Sequence, residues 1–111
     1  MYETYSRLVR VLRKRLPTAF PVSVRRVKLK DRDGYCEKRN GRFNIRVSRD
    51  LSEAQAIDAL IHEYAHARAW NHLHDSLHPV EFHQIAHGPE WGVAYSEVYR
   101  VWEQFNSGKL S

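Results

Sequence analysis

Apolar residues recur at helical spacing near the start of the chain. Tyr5, Leu8, Leu12 and Leu16 lie three or four apart, with Arg7, Arg10, Arg13, Lys14 and Arg15 mostly around the other side. That period predicts a helix over 3–16, ended by Pro17 and Pro21, because proline removes a donor and restricts the residue before it. From Val22 to Lys30, the aliphatic residues Val22, Val24, Val27 and Leu29 alternate with basic ones. This predicts a strand with one wet face and a bulge at Arg25–Arg26, where the alternation slips. Asp33-Gly34 marks a turn, and Asn40-Gly41 marks a hairpin with arms Tyr35–Lys38 and Arg42–Ser48. In the second arm Phe43, Ile45 and Val47 face one way, and Arg42, Asn44 and Arg46 the other. Ser52 and Gln55 form a capping box for a helix from about Glu53 to Trp70. Residues 71–86 have weak periodicity and read as loop. His87-Gly88-Pro89 then opens a last helix, whose apolar stripe is Trp91, Tyr95, Val98, Trp102 and Phe105. Past Asn106 the chain should fray. The pattern predicts an α+β fold: a small antiparallel or mixed three-stranded sheet packed on an N-terminal helix, a helix over 53–70 and a C-terminal helix.

Composition narrows this picture. With 111 residues, 42% of them apolar and 28% charged, the chain reads as one globular domain rather than two, and not as a disordered segment. No apolar run approaches the roughly 20 residues of a membrane span. The arginine-studded N-terminus has no continuous apolar core, so no secretory signal, no membrane association and a cytoplasmic location are expected. Cys36 is the only cysteine, which excludes an internal disulfide and suits a reducing compartment. Charge divides the domain. Residues 1–50 hold 15 Lys and Arg against 5 Asp and Glu, a net of +10. Residues 51–111 hold 3 against 8, a net of −5, and all 7 histidines lie between His62 and His87.

The candidate chemistry is His62-Glu63-Tyr64-Ala65-His66, an HExxH sequence within the second predicted helix. Residues four apart on a helix share a face, about 5–6 Å between Cβ atoms, so His62 and His66 can offer ring nitrogens to one ion. Zinc accepts such nitrogens at about 2.0–2.1 Å and lowers the pKa of its water toward about 7. Glu63 is then placed to accept a proton from that water instead of binding the ion. A histidine-rich chain can contain the motif by accident, but its position behind a capping box, one turn after Ile57, Leu60 and Ile61, supports one zinc ion per chain. Catalytic zinc usually keeps three protein ligands, and His72, His74, His78, His83, His87, Glu90 and Glu97 are the candidates for the third. Extending the last helix backward puts His87 on the face that carries the apolar stripe, whereas Glu90 and Glu97 fall off it. His87 is therefore the expected ligand, with Glu97 next. His72, His74, His78 and His83 read as solvated or hydrogen-bonded bystanders.

His62-Glu63-Tyr64-Ala65-His66 followed by His87-Gly88-Pro89-Glu90-Trp91 resembles the HExxH…HGPEF/W arrangement of SprT-like (Spartan-type) zinc metalloproteases. The resemblance covers about residues 51–102. It implies a zincin-like metallopeptidase domain over 1–111, with a basic helix and sheet in 1–50 and the metal-site helices in 51–106. It implies zinc ligands His62, His66 and His87, Glu63 as general base, and a peptide or protein substrate lying along an edge strand of the sheet. The strand expected in that place is Phe43–Ser48, with Phe43, Ile45 and Val47. Tyr95 is a candidate donor to the developing oxyanion, with a core role as its alternative. Spartan-type relatives act on proteins crosslinked to DNA, and the basic front half with Tyr2, Tyr5, Phe20, Tyr35 and Phe43 is a candidate nucleic-acid surface. The alternative class is a zinc-containing module that binds DNA or protein without catalysis. The sequence gives no oligomeric state.

Overall fold

Six elements follow the predicted order in a computed structural model that describes residues 2–70 and 88–109. They are α1 (Glu3–Arg15), β1 (Val22–Val27), β2 (Gly34–Arg39), β3 (Arg42–Ser48), α2 (Glu53–Ala69) and α3 (Pro89–Asn106). Among the described residues the architecture is α+β, three helices with a small mixed sheet of order β1-β3-β2. β1 runs parallel to β3, and β2 antiparallel to it. The β2–β3 hairpin closes through Asn40 at φ 54° and Gly41 at φ 70°. Positive φ at both central positions is what a two-residue type I′ turn requires, and Asn-Gly is the pair that tolerates it.

Two expectations about the sheet are corrected. Phe43, Ile45 and Val47 do not lie on an edge strand: β3 is the central strand, bonded to β1 on one side and β2 on the other. Their side chains are buried against the helices, and among the described residues the outer edges of the sheet belong to β1 and β2. Nor is there a bulge at Arg25–Arg26, because the register runs unbroken from Val22 opposite Phe43 to Val27 opposite Ser48. The alternation slips because Arg26 faces inward. Its guanidinium donates to Ser48 O and Leu51 O and lies over the Tyr2 ring at 4.2 Å, so the charge is held by carbonyls and an aromatic face.

The sheet packs on α2, and α2 packs in turn on α3 and α1. A helix enclosed in this way is buried around most of its circumference, and from Leu60 to Ala67 only His62 is not buried. Its start is fixed by the predicted capping box: Gln55 N–H donates to Ser52 Oγ at 3.2 Å and Ser52 N–H to Gln55 Oε1 at 3.1 Å. Tyr64 joins α2 to the end of α1, its hydroxyl lying 3.2 Å from Leu12 O and 2.7 Å from Leu16 O. Leu12 O also accepts from Leu16 N–H at 2.8 Å, whereas Leu16 O lies at the helix C-terminus, where carbonyls lack intrahelical partners. In α3 the buried line is Ala94, Val98, Val101 and Phe105, while Trp91, Tyr95 and Trp102 of the predicted stripe are half-buried beside it. Among the described residues no helix is long and apolar enough to cross a membrane.

Candidate metal centre and its cleft

Helical spacing carries His62 and His66 to one side of α2, where their Nε2 atoms stand 3.3 Å apart. Two nitrogens bound tetrahedrally at the usual zinc distance are separated by about 3.3 Å, so the pair is already spaced for a shared ion. With Glu63 they form a group whose ligand atoms all lie within 4.8 Å of one another, and this group could hold a metal ion. Trp91, at the first turn of α3, covers both rings. Its centroid is 5.1 Å from that of His62 and 5.6 Å from that of His66, and its indole N–H reaches His62 O at 3.4 Å. Such packing limits the rotamers of both imidazoles, which a ligand pair needs.

Glu63 is only 8% exposed, and no hydrogen bond holds its carboxyl among the described residues. Burial pushes its pKa up to about 7, with the Arg32 guanidinium pulling the other way. Beside it on β2 is Gly34. A Cβ there would come 2.8 Å from Arg46 O, a clash with the neighbouring strand's backbone that glycine avoids, and 3.4 Å from Glu63 Cγ, so the strand also passes close to the glutamate. Cys36, two residues on and on the same side of β2, has its thiol pKa pushed up by burial, with the Glu63 and Glu37 carboxylates adding to the effect.

A cleft of about 390 Å³ opens here, between Asp33 and Gly34 at the start of β2 and Gln55, Asp58, His62 and Glu63 on α2. The strand bordering it is β2, whose outer side is a free edge among the described residues. Around a two-residue turn the pair Arg39–Arg42 is hydrogen-bonded, and bonded pairs alternate from there. The bond from Ser48 N–H to Asp33 O, 2.7 Å, continues that series. The backbone groups of Gly34 and Cys36 therefore point away from β3, toward the free edge.

The structure thus brings together His62, Glu63 and His66, and leaves other candidates elsewhere. His87, with His72, His74, His78 and His83, lies outside the described residues. Glu97 is exposed and lies 3.5 Å from Arg68, away from the metal-competent group. Glu90 is exposed and is not in that group. Tyr95 is one ring removed from the histidines, in a ladder with Trp91 at 5.0 Å and Tyr99 at 6.0 Å. Sequence reasoning missed Gly34, Asp33 and Asp58 as neighbours of Glu63. The first two are 29 or more positions away, and only the sheet topology joins them to α2. The stripe spacing assigns Trp91 to the core, and its place four residues after His87 is the signal in the sequence that it covers the metal site. Comparison with family models, with curated proteins and with solved structures returned no match.

Proposed function

We propose that this chain is a zinc-dependent metallopeptidase of zincin-like fold, of the SprT-like (Spartan-type) kind. The observation that carries the reading is Glu63: a buried residue whose carboxyl has no hydrogen bond among the described residues, next to two imidazole nitrogens 3.3 Å apart on one side of α2. A structural site has no use for such a carboxyl, whereas hydrolysis needs a base of this kind. His62 and His66 would hold the ion, with His87 as third ligand; Trp91, four residues after His87, rests on both described histidines. Zinc there would polarise the scissile carbonyl and acidify a water. Glu63 takes the proton at a carboxylate oxygen and passes it to the departing amine. A pKa near neutrality before the ion binds matches a group that must both accept and release a proton. The outer edge of β2, unpaired among the described residues and carrying the outward backbone groups of Gly34 and Cys36, would let an extended peptide pair beside Glu63.

The test is peptide hydrolysis by the parent protein and Glu63→Gln, with zinc content measured on both. The variant should keep its zinc and lose hydrolysis; undiminished turnover in it removes the general-base role. A second reading, a zinc-containing module that binds nucleic acid, draws on one observation. Arg7, Arg10 and Lys14 line a groove of about 120 Å³ on α1 together with Phe105. On this reading, affinity for DNA falls by orders of magnitude between low and moderate salt. A flat salt response contradicts it.

A further inference from the structure

The cleft beside Glu63 opposes the charge of the chain around it. The whole chain carries a net +5, yet three carboxyl residues, Asp33, Asp58 and Glu63, line this cleft, and among the described residues no Lys or Arg does. Asp33 belongs to the strongly basic half, so its position is not explained by composition. Neither Asp33 nor Asp58 makes a side-chain hydrogen bond or ion pair among the described residues; the ion pair described is Arg68–Glu97. Glu63, a residue only 8% exposed, lines the same cleft, and no hydrogen bond holds its carboxyl among the described residues. Asp33 and Asp58 do not join the compact metal-competent group, which among the described residues is His62, Glu63 and His66. Carboxylates spread across a cleft of about 390 Å³ suit a larger cation, with a charge delocalised or carried on a long stem. Arg32, the cation that acts on Glu63, is outside the lining, with its guanidinium 5.9 Å from the Tyr35 ring centroid.

We infer that this cleft is a subsite for a basic side chain, arginine or lysine, of the peptide substrate, received by Asp33 and Asp58. The inference rests on the peptidase reading for its biological meaning, but the binding event does not require hydrolysis. A substrate lying along the β2 edge places one side chain toward α2, where Asp58 and Gln55 wait, while its backbone bonds to the strand. Cationic side chains are then drawn in by the carboxylates and neutral ones are not.

The test uses the purified full chain, with Nα-acetyl-argininamide as probe and Nα-acetyl-citrullinamide, its neutral isostere, as control. Backbone amide resonances of Gly34, Asp58 and Ala59 are followed by NMR during each titration. The arginine probe should shift these resonances saturably and bind about tenfold or more tightly than the citrulline control, as loss of a close charge pair implies. Asp33→Asn and Asp58→Asn, both at exposed positions where folding should survive, should each weaken the arginine probe; Asp58→Glu should restore it. Equal responses to the two probes, or shifts confined to other surfaces, overturn the inference. Arginine binding in a protein that hydrolyses no peptide supports the subsite and counts against the peptidase reading. Hydrolysis indifferent to charge supports the peptidase reading and overturns the subsite.

Discussion

Glu63 and Tyr64 are adjacent on α2, both polar and both buried, at 8% and 1% exposure, yet the fold treats them in opposite ways. Tyr64 is satisfied. Its hydroxyl is within hydrogen-bonding reach of the carbonyls of Leu12 and Leu16, and burial pushes its pKa up to about 12, which keeps the donor proton in place. Glu63 has no hydrogen bond among the described residues, borders a cleft and has its pKa raised by burial to about 7. A buried polar group that is fully bonded adds to stability, whereas one left without a bond costs free energy that nothing local returns. The neighbours therefore separate a structural use of polarity from a chemical one. The general point is that burial alone does not distinguish them; the partners do.

The largest effect should come from removing the unbonded group's charge. Glu63→Gln is expected to lower peptide hydrolysis by about 10²–10⁴-fold, the usual weight of general acid–base catalysis, without displacing zinc. Next comes the pH dependence of the metal-free protein. Glu63 has a folded pKa raised from 4.5 to about 7, so the folded state binds the proton more tightly. Its contribution is fully present below pH 4.5 and is lost as pH rises through about 7, a change on the order of 3 kcal/mol. Urea unfolding of parent and Glu63→Gln at pH 5 and pH 8 isolates this: the variant should gain relative stability at the higher pH. An equal difference at both values breaks the contrast between the two residues.

Tyr64→Phe is the matching test on the bonded side. It leaves the carbonyls of Leu12 and Leu16 without this donor and should cost about 1–3 kcal/mol in denaturant unfolding, with zinc content unchanged. A loss of zinc in that variant means that the two roles are not separate. The smallest effect is expected far from the site, at the start of α2. Ser52→Ala removes one half of the capping box and should cost about 1 kcal/mol, read as a lowered melting temperature with hydrolysis intact.

Local chemistry made much of this architecture legible. The capping box at Ser52 and Gln55 and the Asn40-Gly41 turn place the ends of α2 and the hairpin within a residue or two, because their causes lie within four residues of chain. The His62–His66 pair was equally legible, since helix period alone aligns it. What escaped was non-local. The parallel pairing of β1 with β3 makes β3 central, and no pattern within Arg42–Ser48 says how many neighbours a strand has. Arg26 read as a break in alternation because its inward place depends on carbonyls at Ser48 and Leu51, more than twenty residues away. The cleft escaped for the same reason: Asp33 and Asp58 meet only after β2 is laid against α2.

The central claim, that His62 and His66 hold an ion which Glu63 serves without binding, is tested most directly by elemental analysis of purified parent, Glu63→Gln and His66→Ala proteins. The account predicts about one zinc per chain in the parent and in Glu63→Gln, and a large loss in His66→Ala. A parent that folds and takes up no zinc when it is offered contradicts the claim, as does a His66→Ala protein that retains its full zinc content.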